Sequence, residues 1–310
     1  MSKTRTNASL LVLAAGMGSR YGGLKQMDPF GPSGETIIDY SIYDAKKAGF
    51  GKVVFVVRKT FKKDFEKYFR DRIGDHIEME FVEQELYKVP AASEYLAARE
   101  KPWGTAHAVM MGAEVIKGPF GVINADDYYG PGAYKTLMRF FNNNKDAAEY
   151  AVVAYLLENT LSDHGTVNRG VCQMDKKGYL TDIVETLKIS KGKKGISYPT
   201  EKGAATLQSD TLVSMNMFGF FPSYFSKTKS QFKSFLKQRG LEEKSEFFIP
   251  YTLDAMIRSK SAKVKVLKSN SSWFGVTYKK DKPHVVKRIE KLVKEGVYPS
   301  DLWGTKKKRT

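Results

Sequence analysis

Five short apolar runs constrain the fold most: Leu10–Ala14, Val53–Val57, Ile77–Val82, Gly121–Asn124 and Ala151–Leu156. They are near-continuous in Val, Ile and Leu rather than alternating with polar residues, which is how strands covered on both faces read. Stretches with helical periodicity lie between them, near Ile37–Ala48, Lys62–Arg72, Thr105–Ile116 and Ala133–Phe141. Strands alternating with helices predict a three-layer α/β/α sandwich around a mixed, mostly parallel sheet. Beyond about residue 160 the pattern changes. Val167–Met174 and Tyr179–Val184 read as antiparallel strands joined at Lys176-Lys177-Gly178, and Ser190–Lys194 reads as a mobile loop. Leu212–Phe221 and Val264–Leu267 read as strands, and Tyr224–Gln238, Phe247–Ile257 and Val285–Glu295 as helices. No repeat of 20–50 residues is present, so no solenoid is expected.

A chain of 310 residues is long enough for one such domain with a sizeable core. No segment approaches the roughly 18 apolar residues that cross a bilayer. The run Leu10–Ala15 is too short for a signal-peptide core, and Gly16 and Gly18 follow it at once. Cys172 is the only cysteine, so no intrachain disulfide can form. A cytoplasmic location and no membrane partner are therefore expected. The formal net charge of +17 suits anionic partners such as nucleotides and phosphorylated sugars. No RNP, helix-turn-helix or zinc-finger spacing is present, so no nucleic-acid partner is expected.

The first strand runs into a glycine-rich loop, Ala14-Ala15-Gly16-Met17-Gly18-Ser19-Arg20, with Lys25 close behind. Glycines let backbone N–H groups approach phosphate oxygens and form an anion nest. Arg20 can fork onto phosphate oxygens, and Lys25 can add a point charge. The loop is neither a Walker loop nor the full dinucleotide fingerprint. A second apolar strand, Gly121–Asn124, ends in paired acids, Asp126 and Asp127. Ligands of open α/β sheets sit at the carboxyl ends of strands, and carboxylates suit Mg²⁺.

The segment Leu13–Arg20 followed by a lysine resembles the signature of the nucleotidyltransferase superfamily, in particular the sugar-1-phosphate nucleotidyltransferases (NDP-sugar pyrophosphorylases). The resemblance spans roughly residues 8–280 and implies a single domain over 1–310. Residues 8–160 would form the NTP-binding half, 161–282 an acceptor-binding half with a small antiparallel lobe, and 283–310 a C-terminal helix and basic tail. Arg20, Lys25 and Asp126 would be catalytic, with Asp126 holding Mg²⁺. Ala14, Ala15, Gly16, Gly18, Ser19, Gln84, Gly104 and Thr105 would bind the NTP. Gln84 matches a glutamine that reads a pyrimidine edge, and Gly104-Thr105-Ala106 matches a motif that admits a flat ring. Read without the resemblance, Gln84 is a surface polar residue, Gly104-Thr105 a helix cap and His107 structural.

Two departures matter. The sugar enzymes place proline before the lysine, whereas this chain has Gly23-Leu24-Lys25-Gln26, and Lys-Gln is also found in cytidylyltransferases. They also carry a second metal acid in a Trp-x-Asp segment, and Trp273-Phe274-Gly275 lacks it. Asp127, Asp281 or water would complete the metal shell. On the acceptor side Gly165, Glu185, Lys188 and Asn216 match the family elements that hold the sugar and its phosphate. Glu185 and Lys188 would face opposite sides of a regular strand, so a bend or bulge near Thr186-Leu187 is expected. The expected partners are an NTP, UTP or dTTP first, and a sugar 1-phosphate. The rival readings are a cytidylyltransferase using a non-sugar phosphate, a regulatory homologue without catalysis, and a glycosyltransferase. The last should lack the glycine loop with its Arg and Lys.

Overall fold

The computed structural model describes residues 7–16, 25–86, 99, 101–162, 165–192, 195–276 and 281–304. The first apolar run is strand β1 (Ser9–Leu13), parallel to β2 (Lys52–Val57) on one side and to β4 (Phe120–Asn124) on the other. β2 in turn pairs with β3 (Glu78–Glu83), also in parallel. Successive residues go to opposite faces. Leu10, Val12, Val53 and Phe55 join one core cluster, while Leu11, Val54 and Val56 join the other. Both faces are covered, which is the physical origin of the continuous apolar runs.

The first cluster is closed by helices α1 (Ile37–Ala48), α2 (Lys62–Ile73), α4 (Pro131–Asn143) and α7 (Lys282–Lys294). The second is closed by α3 (Thr105–Met110), α5 (Ser223–Arg239) and α6 (Ile249–Arg258). The predicted α/β/α layering is therefore observed. Helix α1 begins where Thr36 and Asp39 form a reciprocal capping box and ends at Gly49, at φ +110°. Helix α3 is shorter than the predicted Thr105–Ile116, because turns occupy 111–115.

The sheet forks at β11 (Leu212–Phe220). One edge of β11 pairs throughout with β6 (Glu149–Leu156), which pairs in parallel with β12 (Lys263–Ser269). The other edge is shared. Phe218–Phe220 pair antiparallel with β4, whereas Val213 and Ser214 pair with β7 (Val167–Met174). A bulge between Ser214 and Met217 marks the fork, and Asn216 sits there at φ +60°. From β7 an antiparallel lobe continues through β8 (Leu180–Gly192), β9 (Gly195–Thr200) and β10 (Gly203–Leu207). Ser190 to Gly192 are thus strand rather than the expected loop. Ser190 to Gly192 pair with Ser197 to Gly195, so the ladder satisfies the backbone although Lys and Gly are weak strand formers. Residues 193–194 lie outside the described residues. A separate two-stranded ribbon joins β5 (Asp127–Tyr128) to β13 (Phe274–Gly275). Among the described residues no helix is long and apolar enough to cross a membrane.

The chain after α7 returns to α1. Trp303 Nε1 donates to Asp39 Oδ1 (2.7 Å), and the Tyr298 hydroxyl donates to Asp44 Oδ2 (2.7 Å). Asp44 is 3% exposed, and burial pushes its carboxyl from 3.8 up to about 7, against the pull of Tyr298 and Lys135. The folded chain keeps this proton up to about pH 7, whereas the unfolded chain releases it near pH 3.8. The native state therefore binds the extra proton between those values, and stability falls as pH rises through them. Chemical denaturation of Asp44→Asn, which keeps an acceptor for Tyr298, should flatten that decline by about 3 kcal/mol between pH 5 and pH 8. Parallel stability curves for mutant and wild type would refute a buried, protonated Asp44.

Candidate nucleotide-binding cleft

β1 and β4 run side by side in parallel and end together. Leu13 stands opposite Asn124, and Ala125 N donates to the Leu13 carbonyl (3.2 Å). Past that point β1 delivers the buried Ala14 and Ala15, and then Gly16. Ala14 N is held by the Val56 carbonyl at 2.9 Å. A Cβ at Gly16 would meet nothing within 4 Å, so this glycine borders open space. Gln26, only 5% exposed, donates from Nε2 to the Gly16 carbonyl (3.1 Å) and pins the far end of the loop to its start. Gly18, Ser19 and Arg20 lie outside the described residues. Lys25 opens a 3₁₀ turn, Lys25–Met27, and its side chain is likewise outside them.

β4 delivers the acids to the same edge. Asp126 is half-buried, and its carbonyl accepts from Val276 N (3.1 Å). Asp127 is buried in the β5–β13 ribbon rather than in a solvated loop. Its Oδ2 accepts from Asn124 Nδ2 at 2.9 Å. The Tyr129 hydroxyl lies 3.3 Å from that oxygen and 2.9 Å from the Met215 carbonyl, either of which can accept its hydrogen bond. Burial and the Asp127 charge together raise the Tyr129 pKa far above its ordinary value, so the phenol stays a neutral donor. Asp127 is paired across the ribbon with Gly275. A Cβ on Gly275 would sit 2.5 Å from Asp127 Oδ1 and 3.0 Å from the Trp273 ring. The position where the Trp-x-Asp pattern expects an acid is thus occupied by the Asp127 carboxylate from the opposite strand. Asp281 precedes α7, beside Lys282, whose Nζ pairs with Asp28 Oδ2 (3.2 Å) just after the glycine loop.

Gln84 follows β3 and is 6% exposed, not the surface residue expected of it in isolation. Its Nε2 donates to the Gly104 carbonyl (3.1 Å) and lies 3.3 Å from Nδ1 of the fully buried His107. Gly104 has φ +107°, and a Cβ there would come 2.7 Å from the Phe247 carbonyl. Thr105 Oγ1 accepts from Ile249 N (3.1 Å). The Gly-Thr pair therefore locks α3 to α6 and, through Gln84, to the end of β3.

The bulge expected near Thr186-Leu187 is present. Val167 pairs with Ile189 and Arg169 with Thr186, so Leu187 and Lys188 together oppose Asn168. Lys188 takes φ +54°, and its N–H donates to Asn168 Oδ1 (2.9 Å). Thr186 and Ile189 are consequently both buried, while Glu185 and Lys188, also three apart, are both exposed. Among the described residues only Lys188, Asn216 and Lys260 have positive φ without being glycine. Two of these three are expected acceptor residues, and such backbone strain gathers at functional sites. Gly165 is exposed just ahead of β7, with open space where a Cβ would stand. One cation near these residues carries no motif. Arg169 packs its guanidinium 4.9 Å from the centre of the Trp273 ring. Only burial and neighbours single it out, and these are invisible in a linear pattern.

Three comparisons bear on this arrangement. Among curated proteins none matches the sequence significantly. Among solved structures, the inositol-1-phosphate CTP transferase from T. maritima superposes with a TM-score of 0.60 at 16% identity, over 92% of this chain and 97% of that one. A UDP-glucose pyrophosphorylase in complex with UDP-glucose superposes with a TM-score of 0.57 at 17% identity, over 92% and 98%. At such identities the likeness establishes the fold. The sequence profile of the nucleotidyl transferase family matches residues 9–281, from the first residue of β1 to the start of α7. With that match spanning both the glycine loop and the acidic end of β4, the chain belongs to the nucleotidyl transferase family.

Proposed function

We propose that the protein transfers a nucleoside monophosphate from a pyrimidine NTP, UTP or dTTP, to a sugar 1-phosphate, forming an NDP-sugar and pyrophosphate. The observation that carries this reading is the junction of β1 and β4. Gly16, which opens the phosphate-type loop, and Asp126-Asp127 leave adjacent parallel strands at the same edge. An acceptor phosphate oxygen attacks the NTP α-phosphorus in line. A new P–O bond forms as the bond from the α-phosphorus to the bridging oxygen breaks, and pyrophosphate departs with that electron pair. A phosphate monoester is already ionised near neutral pH, so no general base is required. The protein contributes position and charge. Arg20 and Lys25 neutralise the triphosphate, with Ala14, Ala15, Gly16, Gly18 and Ser19 supplying backbone around it. Gln84, Gly104 and Thr105 border the base. Gln84 Nε2 is tied to Gly104, so base reading would fall to the remaining polar edges of this wall.

The acids fit a divalent cation. Asp126 and Asp127 are consecutive at a strand end, and the absent side chain of Gly275 leaves a cradle that the Asp127 carboxylate fills. Mg²⁺ is held by one or two carboxylates together with phosphates and water, and when bound it offsets phosphate charge. In this reading Asp127 supplies from β5 the carboxylate that β13 lacks. Glu185 holds acceptor hydroxyls, Lys188 its phosphate, and Gly165 and Asn216 border the sugar. A second reading, cytidylyl transfer to a non-sugar phosphate, is favoured by the Lys25-Gln26 pair.

Pyrophosphate release measured with four NTPs against glucose 1-phosphate, inositol 1-phosphate and phosphocholine tests the reading directly. Turnover should require Mg²⁺ and be fastest with UTP or dTTP and the sugar phosphate. CTP with a non-sugar acceptor as the best pair would move the assignment to the second reading, and a preference for ATP or GTP would defeat both. Asp126→Asn should keep the fold and lower kcat by about 100-fold, roughly 2.7 kcal/mol in the barrier. Wild-type turnover in that variant would remove Asp126 from the metal site. The strand exchange is tested by Mn²⁺ binding followed by electron paramagnetic resonance. Asp127→Gly should weaken Mn²⁺ binding, and adding Gly275→Asp to it should restore part of the loss. A double variant as weak as the single would show that Asp127 does not act as the missing acid.

A further inference from the structure

Arg169 has an unusual environment for a cation. It lies on β7, half-buried, with its guanidinium packed on the Trp273 indole. Its Nε donates to Thr160 Oγ1 (3.1 Å), its Nη2 to the Thr160 carbonyl and its Nη1 to the Asn168 carbonyl (2.8 Å). All three acceptors are uncharged. Among the described residues no ion pair involves Arg169. Burial lowers its pKa to about 10, and the more distant charges of Asp127 and Glu185 oppose that shift. Glu185 responds in turn: though exposed, its carboxyl is raised by partial desolvation, and Arg169 pulls it back down. A cation taken out of water without a contacting counter-ion costs stability. Its geometry is nonetheless fixed by three hydrogen bonds and a stacked ring. A guanidinium held this way is a preorganised receptor for an anion with paired oxygens.

We propose that Arg169 binds the phosphoryl group of the acceptor, as the cation that joins the acceptor strands to the acidic end of β5. The assignment rests on the nucleotidyltransferase reading given above. Three placements select the acceptor phosphate over the triphosphate. Arg169 stands opposite Thr186, and its neighbour Gly170 opposite Glu185, so it belongs to the strand pair that bears Glu185 and Lys188. Asn168 ties the two residues together, its carbonyl accepting from Arg169 Nη1 and its Oδ1 from the backbone N–H of Lys188. The triphosphate loop, by contrast, leaves β1, which is separated from β7 by β4 and β11. Trp273 completes the bridge, since its ring contacts both Arg169 and the position of a Gly275 Cβ, next to Asp127 Oδ1. The phosphate held by Arg169 is thereby placed beside the acids between the end of β4 and the start of β5.

Calorimetric titration and steady-state kinetics of Arg169→Lys and Arg169→Ala test this, with glucose 1-phosphate and inositol 1-phosphate as acceptor probes and UTP and CTP as nucleotides. Arg169→Lys keeps the charge but loses the fork, and it remains informative should the alanine variant fail to fold. Acceptor Kd and KM should rise about 10- to 100-fold, as expected for a lost charge-assisted contact, while NTP Kd stays within about twofold. Guanidinium added at low, non-denaturing concentration should restore acceptor binding to Arg169→Ala. Unchanged acceptor affinity in a folded variant that still releases pyrophosphate overturns the role of Arg169 and leaves the nucleotidyltransferase reading intact. Loss of NTP and acceptor binding in equal measure assigns the cation to the triphosphate and likewise overturns the proposal. A wild-type protein that binds neither acceptor probe and releases no pyrophosphate overturns the functional reading, and this inference with it.

Discussion

The pairing of β1 with β4 is the constraint on which the rest of the candidate site depends. Five consecutive partners, from Ser9 with Phe120 to Leu13 with Asn124, hold the two strands in one register. That register sends Leu11 and Val122 to one core cluster, and Val12 and Ile123 to the other. A slip by one residue would turn every side chain of β1 to the wrong face, so both cores enforce the alignment. Because the strands are parallel and end level, Gly16 and Asp126 emerge at the same edge. The start of the glycine-rich segment and a pair of carboxylates are thereby brought to one edge by the packing of the apolar strands.

The fork at β11 adds the second wall. A sheet that simply continued past β4 would offer a flat edge. Here the first residues of β11 pair with β7 and the last with β4, and the bulge at Ser214–Met217 absorbs the change of neighbour. Asn216 accepts the left-handed backbone this requires, a conformation that asparagine tolerates better than most residues. A second bulge, in β8, does the same for Lys188. The antiparallel lobe therefore rises from the main sheet beside the carboxyl end of β4, and it carries Glu185, Lys188 and Arg169 on its first two strands.

Buried acids in this protein serve two distinct ends. Asp39 and Asp44 lie under the C-terminal segment, where an indole, a phenol and Arg72 satisfy them, and they join α1 to the end of the chain. Asp127 is buried as well, but beside Asn124 and Tyr129, with its carboxylate in the place a Gly275 side chain would take, at a strand end. Burial raises Asp39 and Asp44 alike, so a perturbed carboxyl is not by itself a mark of a reaction site. Position at the carboxyl edge of the parallel strands separates the two classes.

Much of the framework was legible in the residues. The continuous runs at Leu10, Val53 and Ala151 mark strands covered on both faces, and Ile37–Ala48 matches α1 residue for residue, because a capping box and a terminal glycine are local signals. The glycine loop and the Asp126-Asp127 pair are likewise local, since each is a strand followed by a short polar ending. Ser190 to Gly192 misled, because Lys191 and Gly192 are recruited into a ladder by a partner strand that local propensity does not register. Tertiary structure alone decided three further things. It filled the empty position of Gly275 with a carboxylate from a strand about 150 residues earlier, tied the Gln84 amide to Gly104, and set Arg169 on Trp273 with no ion pair to any described residue. Each depends on strand register and on which segments the fold brings together. Those are properties of long-range packing, and no spacing along the sequence encodes them.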